Sequence, residues 1–452
     1  MNQTISIIIL GAGKGTRMKS KISKVLHKIA NLSMIEHVIL GSKKLNPDEI
    51  NIVISKEMGE KVKNDLKRKY NNLHFTIQED RLGTGHAVKM AMANSKTKSD
   101  IYLILYGDTP FIAEKTLINI IENSKQNDVS ILAFEAENPA SYGRLVTKGV
   151  ALEKIVEFKD ATSEEKQINL CNSGVMAING AKINNLLDRI DNKNASSEFY
   201  LTDIVAIAKD DNLKCSFIKC AEDEVLGVNS KIQLAQAEKI FQNKKRYKMM
   251  EEGVTLIDPD SVHFSYDTKI ANDVIIHPNV VFGPNVIIES DCEVKSFCHI
   301  EGAKIAKNAI IGPFARIRPG TNLDENVKIG NFVEIKKSNI AQGVKINHLS
   351  YIGDANIDQN SNIGAGTITC NYDGYNKFTT NIGKDVFIGS NSSLIAPINI
   401  ANNAMVGAGS VITKDVKDGD LAVCRSKQVA IDQGSVKFRK EVSHRSTPKL
   451  PL

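Results

Sequence analysis

The segment IANDVIIHPNVVFGPNVIIESDCEVKSFCHI, residues 270–300, carries a large apolar residue at every sixth position. The same period resumes after one-residue slips before Ile305, Ile340 and Ile357, and with one major interruption it continues to residue 412. A period of six fits neither an amphipathic helix nor an alternating strand. The register is held by Ile270, Ile276, Phe282, Ile288, Val294, Ile300, Ile305, Ile311, Ile317, Leu323, Ile329, Ile335, Ile340, Ile346, Ile352, Ile357, Ile363, Ile382, Ile388, Leu394, Ile400, Val406 and Ile412.

This period is typical of the hexapeptide repeat, in which each unit supplies a short strand and a corner of a parallel β-helix. Three units close one triangular coil, and the periodic side chain points inward against its counterparts in the coils above and below. We therefore expect a parallel β-helix over residues 253–437. Between Ile363 and Ile382 the register breaks and inserts a long loop, and loops on rigid scaffolds commonly carry function.

Composition narrows the class of protein. The 452 residues suggest two or three domains, and 58 basic against 52 acidic residues leave a net charge of +6. Part of that excess lies in a basic tail, residues 438–452. A nucleic-acid surface would need a dense basic stripe interleaved with aromatic residues, and the sequence contains no such stripe. The seven cysteines form no C-x-x-C pair, which favours free thiols in a reducing cytosol. We expect no signal peptide and no membrane-spanning segment.

Residues 1–228 alternate strand and helix patterns, which predicts an α/β, Rossmann-like domain with a mostly parallel sheet. A helical linker is expected over residues 229–252. The expected strands are residues 6–10, 51–55, 74–78, 100–106 and 129–135, and the expected helices are residues 34–45, 56–69, 85–94 and 113–125.

The first expected strand runs into LGAGKGTRM, residues 10–18. Glycines let backbone N–H groups approach phosphate oxygens, and the spacing matches neither the dinucleotide-binding nor the Walker loop. Lys24 follows in SKVLH and can reach the same phosphates. Another apolar strand, YLILYGD, ends in Asp108, which offers a hard oxygen ligand for Mg²⁺ at the edge of the sheet.

The glycine loop with the following K-V-L resembles the signature of sugar-1-phosphate nucleotidylyltransferases. Two positions depart from that signature, with Gly11 where the family usually has Ala and Ser23 where it usually has Pro. The resemblance implies that Mg²⁺ is held by Asp108 and Asn229. It also implies that UTP and the UDP-sugar contact Leu10, Gly11, Ala12, Gly13, Arg17, Lys24, Gln78, Gly83, Thr84, Tyr106, Gly107, Asp108, Gly143, Glu157, Asn172 and Asn229.

The hexapeptide region contains four segments that together form a recognisable pattern. They are GPFARIRPG (312–320), EIKK (334–337), NHLSY (347–351) and NYDG (371–374). They resemble the acetyltransferase half of the bacterial bifunctional N-acetylglucosamine-1-phosphate uridylyltransferase/glucosamine-1-phosphate acetyltransferase family. The resemblance extends from Leu10 to about Arg425. It implies left-handed coils, a cytoplasmic homotrimer, and the substrates glucosamine-1-phosphate, acetyl-CoA, UTP and N-acetylglucosamine-1-phosphate. The product of such enzymes serves peptidoglycan and lipopolysaccharide synthesis.

Acetyl transfer needs a neutral amine, and histidine is the side chain best suited to remove its proton near neutral pH. We expect His348 to be that catalytic base. The resemblance implies that glucosamine-1-phosphate contacts Arg318, Lys336, Tyr351 and Asn362. It implies that acetyl-CoA contacts Ala365, Asn371, Tyr372, Lys377, Ser390, Ala408 and Arg425.

Two alternatives remain open on sequence alone. A nucleotidylyltransferase can carry a β-helix for regulation or assembly only, in which case His348 has no catalytic role. Alternatively, the β-helix can be an assembly scaffold joined to a degenerate first domain, in which case Asp108 has no catalytic role.

Overall fold

The computed structural model describes residues 3–139, 141–149 and 151–444. The chain divides into two compact units, one of residues 1–249 with 264–266 and one of residues 250–263 with 267–452. Each unit has its own sheets and core. Among the described residues, no helix has the length and apolar character needed to cross a membrane.

The first unit is built on a nine-stranded sheet in the order β11-β7-β10-β6-β1-β4-β5, with the β8–β9 hairpin attached to β10. Strands β6, β1, β4 and β5 are mutually parallel, and β10 runs antiparallel to β6 and β7. The strands of this sheet are β1 Ile5–Leu10, β4 Glu49–Ser55, β5 Leu73–Gln78, β6 Ile101–Tyr106, β7 Val129–Glu135, β8 Arg144–Lys148, β9 Ala151–Val156, β10 Leu170–Asn179 and β11 Cys215–Lys219. A separate two-stranded sheet is formed by β2 Lys28–Ile29 and β3 Leu32–Ser33.

Helices cover the sheet because the central strands are apolar on both faces, as in a parallel sheet buried between two layers. The helices of this unit are α1 Met34–Lys43, α2 Gly59–Lys69, α3 Thr84–Ala93, α4 Glu114–Ser124, α5 Ile183–Asp188, α6 Ile204–Asp210 and α7 Lys231–Glu251. Short 3₁₀ turns lie at Thr16–Met18, Lys24–Leu26, Lys56–Met58, Glu165–Gln167, Leu201–Asp203 and Glu222–Glu224, and Pro259–Ser261 belongs to the second unit. All five expected strands and all four expected helices are present, and their bounds differ from the expected ones by at most two residues. The exception is the helix expected over residues 56–69, whose first three residues form a 3₁₀ turn.

The second unit is a triangular stack of short parallel strands, as the period of six predicts. Its three sheets are defined here as face 1, face 2 and face 3. Face 1 is formed by Thr255–Leu256, Ile275–Ile276, Glu293–Val294, Ile310–Ile311, Lys328–Asn331, Lys345–His348, Asn362–Ile363, Phe387–Ile388, Met405–Val406 and Leu421–Ala422.

Face 2 follows face 1 along each coil, and face 3 completes the triangle. Face 2 is formed by Val281–Phe282, His299–Ile300, Arg316–Ile317, Glu334–Lys336, Tyr351–Gly353, Ile368–Cys370, Ser393–Ile395 and Val411–Ile412. Face 3 is formed by Lys269–Ile270, Ile287–Ile288, Ala303–Ile305, Thr321–Leu323, Asn339–Ile340, Ala355–Ile357, Thr380–Ile382 and Ile398–Ile400.

Every aliphatic or aromatic side chain of the predicted register is buried, so the period of six marks the inward positions correctly. The outward side of face 3 is instead a ladder of amides from Asn322 to Asn399. Each Nδ2 donates to the Oδ1 of the asparagine one coil further on, over 2.8–2.9 Å. The inward apolar column and the outward amide column therefore both join successive coils.

The C-terminal helix α8, Gly434–His444, crosses residue 438, so the expected basic tail is helical where it begins. Residues 445–452 of that tail lie outside the described residues. All seven cysteines are free thiols, as their scattered spacing suggested.

The inward column should dominate the stability of the coils. Changing Ile346→Ala removes a fully buried side chain from the stack and should lower the free energy of unfolding by about 2–5 kcal/mol. The adjacent, exposed Lys345 is the matched control, and Lys345→Ala should change it by less than about 0.5 kcal/mol. Urea unfolding followed by circular dichroism measures both variants, and equal effects would contradict the assigned register.

Candidate functional sites

The first site lies where the order of the parallel strands reverses. From β1 the chain proceeds to β4 on one side, and it later returns to place β6 on the other side. The loops after β1 and β6 therefore meet at the carboxyl ends of their strands, where ligands bind in open α/β sheets. Gly107 N donates to Leu10 O over 2.9 Å, which fixes one loop against the other. A cleft of about 560 Å³ opens there.

Most of the nucleotide-contacting residues expected from sequence surround this cleft. Those that line it are Leu10, Gly11, Ala12, Gly13, Lys24, Gln78, Gly83, Thr84, Tyr106, Asp108 and Asn229. The expected residues Arg17, Gly107, Gly143, Glu157 and Asn172 lie outside the lining. Eleven other described residues line the cleft without a role expected from the sequence, among them Lys14, Arg81, Tyr142, Ser173 and Glu198.

Lys24 is held close to the glycine loop by packing. Gly15 adopts a left-handed backbone conformation with φ of 60°, and a Cβ at that position would lie 2.6 Å from Lys24 Cβ. Any larger residue would therefore be strained and would also push Lys24 away. The G-x-G spacing and the later lysine act as one structural unit.

The ammonium group of Lys24 joins the two expected metal ligands. It forms an ion pair with the Asp108 carboxylate, and it donates to Asn229 Oδ1 over 2.9 Å. Both members of the ion pair are largely buried. A carboxylate and an amide oxygen thus converge on one positive charge, and this donor set also suits a hard divalent cation. Within the described ranges, no group of three or more His, Cys, Asp or Glu residues forms a metal cage.

Three residues expected to hold the sugar lie next to one another. Asn172 N donates to Gly143 O over 2.9 Å, and Asn172 Oδ1 accepts from Gly174 N over 2.9 Å. A Cβ at Gly143 would lie 3.5 Å from both carboxylate oxygens of Glu157. The absence of a side chain at residue 143 therefore leaves space directly in front of that carboxylate.

Burial controls the charges around Glu157. Desolvation raises the pKa of Glu157, although Thr202 Oγ1 donates to the carboxylate over 3.1 Å. Burial is also the main cause that raises the pKa of Asp203 to about 6, with smaller contributions from Asp191, Glu157 and Asp160. This end of the site is therefore dry and acidic, which suits hydrogen bonds to sugar hydroxyl and amide groups.

The second set of expected residues lies on the β-helix, and several of them follow the edge between face 1 and face 2. Asn391 N donates to Ala365 O over 2.7 Å, and Gly409 N donates to Ser390 O over 2.8 Å. Arg425 Nη1 then donates to Ala408 O over 2.6 Å. Residues far apart in sequence thus stack on one edge in successive coils.

His348 lies on the same edge, one coil before Ala365, and its side chain is exposed. Gly366 N donates to His348 O over 3.3 Å, and Leu349 N donates to Asn331 O over 3.0 Å. The backbone around the imidazole is therefore connected to the coils on both sides.

Asn331 also meets His348 through its side chain, a contact that motif comparison missed. Asn331 Oδ1 lies 2.8 Å from His348 Nδ1, and the two residues are register partners on face 1. The signal available in the sequence is their offset of 17 residues, the length of one coil at this point.

The expected sugar-phosphate residues lie on face 2 and the neighbouring insertion. Arg318 Nη1 donates to Glu334 Oε1 over 2.7 Å. Lys377 lies near Lys336 and is the main cause that lowers the pKa of Lys336, followed by burial and by a smaller contribution from Arg318. A lysine expected at the sugar phosphate and a lysine expected at acetyl-CoA therefore meet. Positive groups held this close favour binding of an anion.

The insertion between Ile363 and Ile382 is anchored to face 2. Asn371 Nδ2 donates to Asp354 Oδ2 over 2.5 Å. The Tyr351 hydroxyl and the Asn371 amide nitrogen both border the space in front of Gly353. They lie 2.5 and 2.9 Å from a Cβ built on that glycine. Tyr372 and Lys377 form an antiparallel bridge that closes the loop. Asn362 lies on face 1, paired with Lys345 and Phe387.

Family comparisons agree with this division of the chain. A MobA-like NTP transferase domain matches residues 7–168. The bacterial transferase hexapeptide model matches residues 267–302 and 302–337, and a hexapeptide repeat of succinyl-transferase matches residues 379–414.

Whole-chain relatives share a single description, "Bifunctional protein GlmU". The protein from Ruegeria sp. is 48% identical over 94% of this chain and 94% of its own length. The protein from Paramagnetospirillum magneticum is 46% identical over 98% and 99%, and that from Zymomonas mobilis is 46% identical over 97% and 98%. The chain therefore belongs to the GlmU family of bifunctional enzymes, which combine a uridylyltransferase with a hexapeptide-repeat acetyltransferase.

Proposed function

We propose that this chain makes UDP-N-acetylglucosamine in two steps. The domain of residues 253–437 transfers acetyl from acetyl-CoA to glucosamine-1-phosphate. The domain of residues 1–228 then transfers uridylyl from UTP to N-acetylglucosamine-1-phosphate and releases pyrophosphate. Residues 229–252 link the domains, and both reactions take place in the cytoplasm. The observation that carries the proposal is the pair of separate clusters, one around Lys24 and one around His348.

In the acetyl step, the ammonium group of glucosamine-1-phosphate first loses one proton to solvent, and His348 removes a second proton from the amine as it attacks. The amine nitrogen forms a C–N bond to the thioester carbonyl, the C–S bond breaks, and the imidazolium gives its proton to the leaving thiolate. Arg318 and Lys336 hold the sugar phosphate, and Tyr351 and Asn362 contact the sugar. Acetyl-CoA contacts Ala365, Asn371, Tyr372, Lys377, Ser390, Ala408 and Arg425.

The meeting of Lys336 and Lys377 extends this assignment. Two ammonium groups in contact are unfavourable in the free protein, and a dianionic phosphate between them would offset that repulsion. Lys377 therefore contributes to the sugar-phosphate site as well as to the acetyl-CoA side.

In the uridylyl step, a phosphate oxygen of N-acetylglucosamine-1-phosphate attacks the α-phosphorus of UTP, and the bond to pyrophosphate breaks. No protein nucleophile is needed, because positioning and charge neutralisation lower the barrier. The glycine-loop amides, Arg17 and Lys24 hold the phosphates, and Gly143, Glu157 and Asn172 hold the acetylamino sugar.

Divalent metal use is general for this kind of nucleotidyltransferase, and we propose Mg²⁺ held by Asp108 and Asn229. Both oxygens lie around the Lys24 ammonium, which supports a role in binding a cation. When bound, Mg²⁺ supplies positive charge that neutralises the triphosphate. Lys24 lines the same cleft and binds the phosphates there.

We further propose a homotrimer, because apolar side chains are distributed unevenly over the prism. The edge between faces 1 and 2 carries Phe297, Phe314, Phe332 and Leu349, each 45–61% exposed. The three rings stack with centroid separations of 4.9 and 5.1 Å. Face 3 presents the amide ladder, and its one exposed large apolar residue within the described ranges is Ile287. A threefold ring turns one edge of each prism toward the axis and one face outward, which matches this distribution.

The two reaction centres should be separable by mutation. His348→Ala should reduce acetyl transfer by at least about a hundredfold, since it removes the general base, and should leave uridylyl transfer unchanged. Asp108→Asn should reduce uridylyl transfer by a similar factor and leave acetyl transfer unchanged. Each activity serves as the folding control for the other.

The assay supplies glucosamine-1-phosphate, acetyl-CoA, UTP and Mg²⁺ together and follows thiol and pyrophosphate release. Wild type should yield UDP-N-acetylglucosamine. Loss of both activities in both variants would contradict independent sites, and full acetyl transfer by His348→Ala would leave the β-helix without its assigned base.

The aromatic edge should hold the trimer together. Phe314→Glu places a charge in the middle of the stack and should shift the protein from trimer to monomer in sedimentation experiments. Asn339→Glu adds the same charge on face 3 and should leave the trimer intact. A Phe314→Glu protein that remains trimeric would exclude this edge as the contact.

Stability should depend on pH through Asp203. Its folded pKa of about 6 lies above its ordinary value, so the protein is destabilised as pH rises from about 4 through 6. Asp203→Asn removes that titration and should raise the free energy of unfolding by about 1–2 kcal/mol at pH 7.5, but not at pH 4. Urea unfolding at both values tests this, with the exposed Asp210→Asn as control, and an equal gain at both pH values would refute it.

A further inference from the structure

We propose that Asn331 is a positioning residue for acetyl transfer, which fixes the tautomer and orientation of the His348 imidazole. The inference rests on the proposed role of His348 as the general base. It assigns the residue that presents the base in its working form, a role that none of the motifs in the sequence identifies.

The hydrogen bond determines which ring nitrogen carries the proton. Asn331 Oδ1 lies 2.8 Å from His348 Nδ1, and an amide oxygen can only accept. Nδ1 must therefore be the protonated nitrogen, and Nε2 keeps the lone pair that can take a proton from the substrate amine. Without the amide oxygen, an exposed imidazole is free to exchange tautomers and to rotate.

The backbone keeps this pair in register. Asn331 and His348 are parallel-strand partners on face 1, and Leu349 N donates to Asn331 O over 3.0 Å. Next to them, a Cβ on Gly330 would lie 1.9 Å from Asn347 O, closer than any two such atoms can approach. The two coils are thus in direct contact where the side chains meet, and the distance between the amide and the imidazole is set by the stack.

An asparagine here has a chemical advantage over the carboxylate that often accompanies a catalytic histidine. The amide oxygen orients the ring without adding a negative charge beside it. It therefore adds no carboxylate that could compete with the anionic substrates for positively charged groups.

The test compares Asn331→Ala, Asn331→Asp and the control Asn339→Ala, whose amide also bonds across coils but on face 3. Asn331→Ala should lower kcat for acetyl transfer roughly tenfold, with little change in KM for either substrate, since one neutral hydrogen bond to the base is lost. Asn331→Asp keeps an acceptor and should recover most of kcat. Asn339→Ala should match wild type, and uridylyl transfer should be unchanged in all three.

A spectroscopic measurement separates positioning from general destabilisation. In ¹⁵N spectra of the labelled protein at a pH where the ring is neutral, wild-type His348 should show Nδ1 protonated. Asn331→Ala should show a mixture of the two tautomers. In a His348→Ala background, adding Asn331→Ala should have no further effect on acetyl transfer.

The outcomes distinguish the two levels of the argument. If His348→Ala retains full acetyl transfer, the proposed base is wrong. If His348→Ala is inactive while Asn331→Ala keeps the wild-type kcat and the wild-type tautomer, the base is right and the role of Asn331 is wrong.

Discussion

Stacking of one coil on the next is the constraint on which the second half of this protein depends. No coil has a core of its own, so each inward aliphatic side chain is buried only by its counterparts one coil away. The backbone bonds between coils then fix every outward side chain at a set height. The proposed acetyl-transfer cluster depends on that register, since His348, Ala365, Ser390 and Ala408 occupy one edge in successive coils.

In the first half of the chain, the topology of the sheet positions the site residues. Two parallel strands end side by side at the point where the strand order reverses, so Leu10 and Asp108 enter one cleft although about a hundred residues separate them. Lys24 comes from the chain between β1 and β4, and Asn229 comes from just before helix α7. Their contacts with Asp108 create a compact charge cluster, and the proposed transfer between phosphates depends on charge neutralisation of this kind.

The sequence predicted the features that follow from local periodicity and short motifs. The inward register was correct at every predicted position from Ile270 to Ile412. Each inward position must be apolar to be buried, so the period of the coil is visible in the residue types alone. Strands β8 to β11 were not predicted. One of them, β10, pairs with β7 in a register that shifts between Asn172 and Met176, so it has no continuous alternation to detect. The Asn331–His348 and Lys336–Lys377 contacts depend on exact coil lengths, 17 residues in one case and an insertion in the other, which no motif encodes.

The amide ladder of face 3 has a direction as well as a spacing. Every side-chain N–H from Asn322 onward points toward the C-terminal coils, and the last amide, Asn399, donates to the Asp415 carboxylate over 3.3 Å. Aligned dipoles polarise one another along such a chain, and an anion at its donor end is electrostatically favourable. The outward side of face 3 is thus a continuous chain of side-chain hydrogen bonds that ends on a carboxylate. A charged acceptor at this end should bind the last amide more strongly than another neutral amide would.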